Sequence, residues 1–432
     1  RCCTRARSCL NPVVWALARL LASTAWRYSL ACIPAADNQT WTDVTIDGSP
    51  EGDLIISNAM ALSLAGSTAI NSNVRWLGLT DLTVGSSASV NADGKGCVTT
   101  GNYIYSPNGS NVCGGTGLGN ASAAKYGASG ATHGGVGGLG TDGTNAGVTT
   151  NLVYDSASGP ILYGASGGSA ATVTGGNGGG LVQIQVSGTL THNGAISANA
   201  DPGIAGTSDR SGGGGAGGSI NNVAPVFDGS TGTLAATGGD SGTNLWYAGG
   251  GGGGRIAIAH STGSFVFGTG LDVSGGVGIH VGNPATADCL VLGSAIRSSV
   301  NGSVYGCTAT GTPGTWSLIA PTDPAGWTCA APDAGTLKVS SVDNLVYGCT
   351  ATGTPGTWKV QAENGTKGTV FVRDTAGTSG TTADDDIDIY HGFTYADTDW
   401  NVNSWTVDSS ATNQHCDPTL GTSATPSVTA AG

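Results

Sequence analysis

The sequence predicts an all-β protein, a parallel β-helix or solenoid with small disulfide-linked β-hairpin modules on its C-terminal side, and three observations lead to this fold class. Glycine makes up 76 of the 432 residues, and a glycine within a helix costs about 1 kcal/mol relative to alanine. Short segments of alternating apolar residues are separated by turn residues between positions 42 and 281, as is typical of all-β proteins. Glycine-rich runs recur at a fixed interval, which indicates stacked structural units.

Each glycine-rich run leads into a strand-like segment and then to an apolar landmark residue. The runs are 175–180, 212–218 and 249–254, and the landmarks that follow them are Ile196, Leu234 and Leu271, which are 38 and 37 residues apart. Glycine is expected at the corners of the β-helix, where it supplies positive φ, and wherever a neighbouring chain passes close. A 37-residue period fits one long coil or two short ones, which predicts about ten coils at a spacing of about 4.8 Å.

The charge distribution limits the partners and the compartment. Residues 1–31 hold five arginines and no acidic residue, whereas the rest of the chain holds 10 basic and 28 acidic residues. A surface this acidic repels nucleic acid and anionic lipid, so neither is expected as a partner. Residues 1–31 have the basic start, apolar stretch and small-x-small ending of a secretory leader; an ordered terminal helix and a mistranslated upstream extension are the alternatives. No later segment is long and apolar enough to span a membrane, so an integral membrane protein is not expected.

The cysteines favour an oxidising, extracellular compartment. Eight of the 11 cysteines lie beyond residue 31, and none of these has C-x-x-C spacing. An even number of cysteines without paired spacing favours disulfides over a zinc site.

A second, independent repeat lies further along the chain. Residues 304–316 recur unchanged as residues 346–358, and each copy has the strand, Gly-Thr-Pro-Gly turn and returning strand of a β-hairpin. A further cysteine precedes each copy at a similar distance, so the repeat symmetry pairs the two cysteines of each copy. The predicted disulfides are Cys289 with Cys307, Cys329 with Cys349 and, as a local loop, Cys97 with Cys113, which leaves Cys32 and Cys416.

Two motifs resemble those of known protein families. The run Ser211-Gly-Gly-Gly-Gly-Ala-Gly-Gly-Ser-Ile220 and the stretch from Gly249 to Ile258 resemble the glycine-rich β-helical repeats of large bacterial surface proteins and adhesins. The Gly-Thr-Pro-Gly-Thr-Trp pattern of the second repeat resembles small modules of phage tail fibres and bacterial surface proteins. The resemblance implies a secreted β-helical architecture, and it identifies no chemistry.

Calcium is the one cofactor for which the sequence offers candidate ligands, because calcium takes about six to eight oxygen ligands. Oxygen-bearing residues near the C-terminus have the spacing of a calcium loop, although Val402 stands where such a loop has glycine. The candidate ligands are Asp397, Asp399, Asn401, Asn403 and Asp408. The apolar residues interleaved with them equally suit strands with solvated edges.

Tryptophans concentrate in the last third of the chain and include Trp316 and Trp358, one in each copy of the second repeat. Exposed indoles would serve as platforms on which glycans stack. Buried indoles would instead fill the thin cores of the hairpin modules.

These observations divide the chain into four regions and predict a structural role. Residues 1–31 are leader-like, 32–285 form the solenoid, 286–360 hold the two hairpin repeats, and 361–432 form a small β-rich end with a tail. The predicted function is that of a secreted surface protein, an adhesin or a self-assembling filament subunit, with copies of itself or surface glycans as partners. The alternatives are a glycan-binding module like that of a tail fibre and a β-helical polysaccharide-degrading enzyme. No catalytic residue is expected, because the histidines are scattered and the two glutamates are 312 residues apart.

Overall fold

The structure, a computed structural model, consists of β-strands, turns and extended glycine-rich segments in the part of the chain that it describes. The described residues are 38–48, 53–57, 59–100, 103–105, 127–140, 153–170, 173–204, 211–229, 231–242, 248–262, 270–278, 281–282, 284–286, 295–298, 300–301, 303–322, 327–328, 337–341, 346–351, 357–360, 364–374, 386–389, 404–408 and 428–431. Among these residues no helix is long and apolar enough to cross a membrane.

The strands are numbered in chain order. The first ten are β1 (Gln39–Thr42), β2 (Thr45–Asp47), β3 (Asp53–Ile56), β4 (Ala61–Ala65), β5 (Ala69–Asn71), β6 (Asn73–Leu79), β7 (Asp81–Val84), β8 (Ser89–Asn91), β9 (Val98–Thr100) and β10 (Tyr103–Tyr105). The next ten are β11 (Leu181–Val186), β12 (Thr189–His192), β13 (Ala195–Ser197), β14 (Ser219–Val223), β15 (Val226–Asp228), β16 (Thr233–Ala235), β17 (Arg255–His260), β18 (Leu271–Asp272), β19 (Val281–Gly282) and β20 (Ala295–Ser298). The last ten are β21 (Val304–Ala309), β22 (Thr315–Leu318), β23 (Pro321–Thr322), β24 (Leu337–Ser340), β25 (Val346–Ala351), β26 (Thr357–Val360), β27 (Thr369–Asp374), β28 (Asp386–Ile389), β29 (Ser404–Asp408) and β30 (Val428–Ala431).

Three sheets of parallel strands dominate the structure. Sheet 1 has the order β3-β6-β11-β14-β17-β27, sheet 2 the order β1-β4-β7-β12-β15, and sheet 3 the order β18-β16-β13-β8-β5-β2. From β1 to β17, apart from the β9–β10 hairpin, successive strands enter sheet 2, sheet 3 and sheet 1 in rotation. Sheet 1 continues into β28, which is antiparallel to β27, and then into β29 and β30. The predicted all-β class is confirmed, and its main sheets are parallel.

The landmark residues of the sequence repeat are direct neighbours in sheet 3. Ile196 pairs with Leu234, and Leu234 pairs with Leu271. In the part of the chain before the glycine runs, directly paired residues are much closer in sequence than the landmark residues are. Leu62 pairs directly with Leu82 in sheet 2. One set of three strands therefore fits between Leu62 and Leu82, and the longer period between the landmark residues contains an additional glycine-rich segment. Sheet 3 holds six strands among the described residues, and the sequence estimate of about ten coils stays a prediction.

The side chains between the three sheets form one hydrophobic core. Alternate residues of a strand point inward, as Leu62 and Leu64 do in β4 and Leu82 and Val84 do in β7, and all four are at most 2% exposed. Burying a side chain of this size stabilises the fold by about 1.5–3 kcal/mol.

The glycine runs form a second unit, which we call the glycine bundle. Its segments are extended arms that leave sheet 3, turn, and return to sheet 1, and paired arms are joined by backbone hydrogen bonds every three residues. In one pair of arms the donor and acceptor residues are Gly212 and Ile204, Gly215 and Asp201, and Gly218 and Ala198. A period of three residues is that of the polyproline II helix, so the arms are threefold extended helices rather than β-strands.

The arm at residues 211–218, which we call the central arm, is hydrogen-bonded to six other segments. Its amides donate in rotation to three of them, residues 198–204, 165–168 and 249–252. The carbonyls of residues 211–217 accept in rotation from the other three, residues 128–133, 239–242 and 176–179, and the bond to Gly217 comes from the His133 side chain. A chain with neighbours on six sides has almost no room for side chains, which explains why this arm is nearly pure glycine.

Close approach, and not positive φ, is what requires glycine in the bundle. Among the described glycines only Gly66 and Gly94 have positive φ, at 58° and 63°. The expectation that the glycine runs supply positive-φ corners is therefore wrong. The expectation of a close neighbouring chain is correct, because a Cβ on Gly214 would overlap the carbonyl oxygen of Gly239.

Ala216 is the one residue with a methyl group inside the glycine-rich part of the central arm. Its methyl group packs with those of Ala131 and Ala165 in a small cluster in which all three residues are fully buried. The bundle therefore has its own small apolar centre, separate from the core between the sheets.

The two copies of the 13-residue repeat form matching four-stranded sheets. Their orders are β19-β20-β21-β22 and β23-β24-β25-β26, and the β21–β22 and β25–β26 pairs are antiparallel hairpins, as predicted. Cys307 lies opposite Trp316 in the first hairpin, and Cys349 lies opposite Trp358 in the second.

Candidate functional site

The largest cluster of buried ionisable side chains in the described part of the chain lies where the glycine bundle meets sheet 1. His133 ends one arm of the bundle, Tyr154 and Asp155 belong to the loop at residues 153–163, and Arg255 begins β17 directly after a glycine run. We call these four residues the base cluster, because they lie at the base of the glycine bundle. Their elements are distant in sequence, and the fold brings them together because the arms return to sheet 1 at this point.

His133 connects the bundle to the loop. Its side chain is fully buried, its Nδ1 lies 2.7 Å from the carbonyl oxygen of Gly217, and its Nε2 lies 3.5 Å from Oδ2 of Asp155. Because a carbonyl oxygen only accepts hydrogen bonds, Nδ1 carries the hydrogen in this contact. The imidazole also lies against the ring of Tyr154, with 4.6 Å between the ring centroids.

Asp155 organises the loop around its carboxylate. Its backbone has a φ of 71°, which is uncommon for a residue with a side chain. Oδ2 accepts hydrogen bonds from the amides of Ile161 (3.0 Å) and Leu162 (2.8 Å), and Oδ1 accepts one from the amide of Ser156 (2.8 Å). Burial alone would raise the pKa of Asp155, but the contact with His133 and the amide bonds from Leu162 and Ser156 hold the pKa below its ordinary value.

Arg255 ties the loop to the sheet. It is only 1% exposed, its Nε donates to the carbonyl of Tyr154 (2.9 Å), and a terminal guanidinium nitrogen donates to Oγ1 of Thr369 in β27 (3.0 Å). Burial lowers the pKa of the guanidinium, and the charge of Asp155 acts in the opposite direction. A buried arginine with these partners stabilises a junction between three chain segments.

A second charged pair lies nearer the surface on the same side of sheet 1. Arg75 Nε donates to Asp53 Oδ2 at 2.7 Å, and the Tyr163 hydroxyl donates to Asp53 Oδ1 at 2.6 Å. Tyr163 belongs to the same loop as Asp155, so this pair fastens the other end of that loop to β3 and β6.

The base cluster contains a histidine and a carboxylate, the residue types of general acid–base sites. The side chains of His133 and Asp155 are 0% and 4% exposed, however, so a substrate cannot reach them in this structure. We therefore assign the cluster a structural role, the attachment of the bundle to sheet 1. His133 was one of six histidines that looked scattered in the sequence, and the one local signal of the cluster was Arg255, placed directly after six glycines.

The predicted calcium ligands are not brought together by any described contact. Asp397, Asp399, Asn401 and Asn403 lie outside the described residues, and Asp408 is the last residue of β29, with no description of its side chain. Among the residues that the structure does describe, no group of three acidic, histidine or cysteine side chains could hold a metal ion. The calcium site stays a prediction.

The disulfide pairings also stay predictions. Cys97 and Cys307 are both buried. Cys113, Cys289 and Cys329 lie outside the described residues, and only the backbone of Cys349 is described.

The tryptophans of the hairpin modules differ in burial. Trp316 is half-buried, and the side chain of Trp358 lies outside the described part of the structure. Trp327 is 3% exposed, packs edge-on against Tyr347 with 5.6 Å between ring centroids, and has the ammonium group of Lys338 5.4 Å from its ring. Trp327 therefore fills the core of the second module, as expected for a buried indole.

His192 is a buried polar residue inside the core between the three sheets. It is 1% exposed, it pairs with Val84 across sheet 2, and its ring lies edge-on to Phe227 at 6.2 Å. Neither ring nitrogen has a hydrogen-bond partner among the described residues. Burial lowers the pKa of His192 from 6.5 to about 4, because a charged imidazolium is costly in an apolar interior.

Replacing His192 with leucine is expected to remove an acid-sensitive component of stability. The folded chain binds this proton more weakly than the unfolded chain, so the contribution is complete above pH 6.5 and is lost as the pH falls towards about 4. The loss over that range is about 3 kcal/mol, and His192→Leu should not show it in urea unfolding at pH 7, 5.5 and 4. Ile196→Val, in the neighbouring strand, should lose about 1 kcal/mol equally at each pH. An unchanged pH dependence in His192→Leu would contradict this assignment.

No protein-family model, no curated protein and no solved structure matches the chain. The function is therefore inferred from the arrangement of the sheets, the bundle and the hairpin modules.

Proposed function

We propose that the three parallel sheets are the three faces of a parallel β-helix. The rotation of successive strands through sheets 2, 3 and 1 supports this arrangement, as does the short chain step between directly paired strands such as β4 and β7 in the early part of the chain. In such a helix each set of three strands is one coil. The glycine hairpins are then excursions that leave the helix at one corner, between sheet 3 and sheet 1.

We further propose that the protein is a secreted structural component of a cell surface, serving as an adhesin or a filament subunit. The observation that carries this proposal is the central arm with its six hydrogen-bonded neighbours. A central arm that is held by backbone bonds on six sides and has no long side chain is suited to rigidity. The acidic composition beyond residue 31 suits a soluble extracellular protein, and the predicted disulfides suit an oxidising compartment.

Immunogold labelling of intact source cells tests the location. We expect label on the outside of unpermeabilised cells. Label that appears only after permeabilisation would contradict a surface role.

Negative-stain microscopy of the purified protein tests the two structural forms. A filament subunit should join end to end as its concentration rises, because the open ends of a β-helix present unpaired strand edges. Isolated particles at every concentration would exclude the filament form and leave the adhesin.

A further inference from the structure

The two hairpin modules are inserted into the last hairpin of the glycine bundle. The arms of this hairpin are residues 273–278, which follow β18, and residues 364–368, which lead into β27. They are held together by the bond from the Gly365 amide to the Gly276 carbonyl (2.9 Å) and by the bond from the Gly278 amide to Asn364 Oδ1 (2.9 Å). Residues 279–363, with both modules, therefore start and end at the same point.

The preceding hairpin shows where that point lies. Its arms, residues 236–242 and 248–254, have the same three-residue bonding, and only residues 243–247 join them. The amide of Ser241 bonds to the carbonyl of Val277 (2.8 Å), so the two hairpins are in register. An arm of seven residues at about 3.1 Å per residue is about 20 Å long. The inserted residues 279–363, which we call the head, thus begin and end about 20 Å from sheets 1 and 3.

The head differs in charge from the rest of the chain. Its basic residues are Arg297, Lys338 and Lys359, and its acidic residues are Asp288, Asp323, Asp333, Asp343 and Glu363. This near balance contrasts with the strongly acidic remainder, which would repel an anionic partner. No charged residue occurs at positions 303–320.

The two modules use equivalent tyrosines differently. In the second module Tyr347 is covered by the indole ring of Trp327, which precedes the repeat copy that begins at Val346. In the first module Ala285 stands at the same interval before Val304, and Tyr305 is half-buried. Leu318, the cross-strand partner of Tyr305, is 55% exposed. The ring of Trp327 therefore covers Tyr347 in the second module, whereas Ala285 provides no ring to cover Tyr305 in the first.

We propose that the first module binds a neutral glycan, with one sugar ring packed against Tyr305 and Leu318. Apolar sugar faces pack on aromatic and aliphatic side chains, and a segment without charged side chains suits a partner without charge. This inference rests on the proposed surface role and identifies the part of the molecule that makes contact.

An array of neutral, sulfated and uronic-acid-containing glycans, probed with the purified full-length chain, tests the proposal independently of cellular location. We expect binding to neutral glycans, and a loss of about tenfold or more for Leu318→Ser with an unchanged melting temperature. Ile204→Ser is the matched control, since Ile204 has the same 55% exposure but lies in the bundle, and it should bind like the parent.

Three results would overturn the proposal: no neutral glycan bound, Leu318→Ser binding as tightly as the parent, or equal losses for Leu318→Ser and Ile204→Ser. Failure of surface labelling on cells would instead remove the proposed surface role and leave the array result unaffected.

Discussion

Replacing Gly214 with alanine is expected to destabilise the protein by at least about 3 kcal/mol. The added Cβ would overlap the carbonyl oxygen of Gly239 and would also approach the backbone of Gly251. Neither backbone can shift freely, because both belong to arms that are hydrogen-bonded on several sides. Overpacking of this kind costs about 1–3 kcal/mol even where flexible side chains can adjust. The free energy of unfolding in urea at pH 7 measures the effect.

Gly159→Ala is the matched control for this substitution. A Cβ on Gly159 would have Asn221 Nδ2 as its nearest neighbour, at 3.9 Å, an ordinary van der Waals contact. The free energy of unfolding should therefore change by less than about 0.5 kcal/mol. Equal losses of unfolding free energy for Gly214→Ala and Gly159→Ala would show that the general effect of replacing glycine with alanine, and not the close packing of the arms, destabilises the protein.

Replacing Arg255 with methionine is expected to cost about 3–5 kcal/mol, the usual effect of removing one partner from a buried charged group. Methionine retains much of the apolar stem but leaves the carbonyl of Tyr154 and the hydroxyl of Thr369 without the guanidinium. It also removes the positive charge that interacts with Asp155. Urea unfolding at pH 7 measures the loss.

Arg75→Met is the control that separates burial from charge pairing. Arg75 also pairs with a carboxylate, but its side chain is 25% exposed and Asp53 keeps the hydrogen bond from Tyr163. We expect a loss of about 1 kcal/mol. If Arg255→Met lost no more than Arg75→Met, the base cluster would not be the main attachment of the bundle.

The parts of the fold that were predictable from sequence depend on local patterns. The spacing of Ile196, Leu234 and Leu271 identified residues that pair directly in sheet 3, because a regular stack places equivalent residues above one another. The two hairpins were predictable from their turn residues and their identical sequence.

The bundle and the base cluster were not predictable in the same way. In an arm of consecutive glycines, every residue looks alike, so the threefold rotation of its partners leaves no trace in the sequence. Arms with fewer neighbours retain a signal, since Gly164 and Gly167 are three residues apart and both face a neighbouring carbonyl. His133 and Arg255 are 122 positions apart, and only the return of the arms to sheet 1 places them together.

The rotation of hydrogen bonds around the central arm also restricts how such a chain can change in length. Each added residue turns everything after it by one third of a revolution, so a single insertion would direct every later amide and carbonyl towards the wrong neighbour. An insertion of three residues restores the original directions and lengthens the arm by one full turn. Natural or engineered length variants of these arms should therefore differ from one another by multiples of three residues.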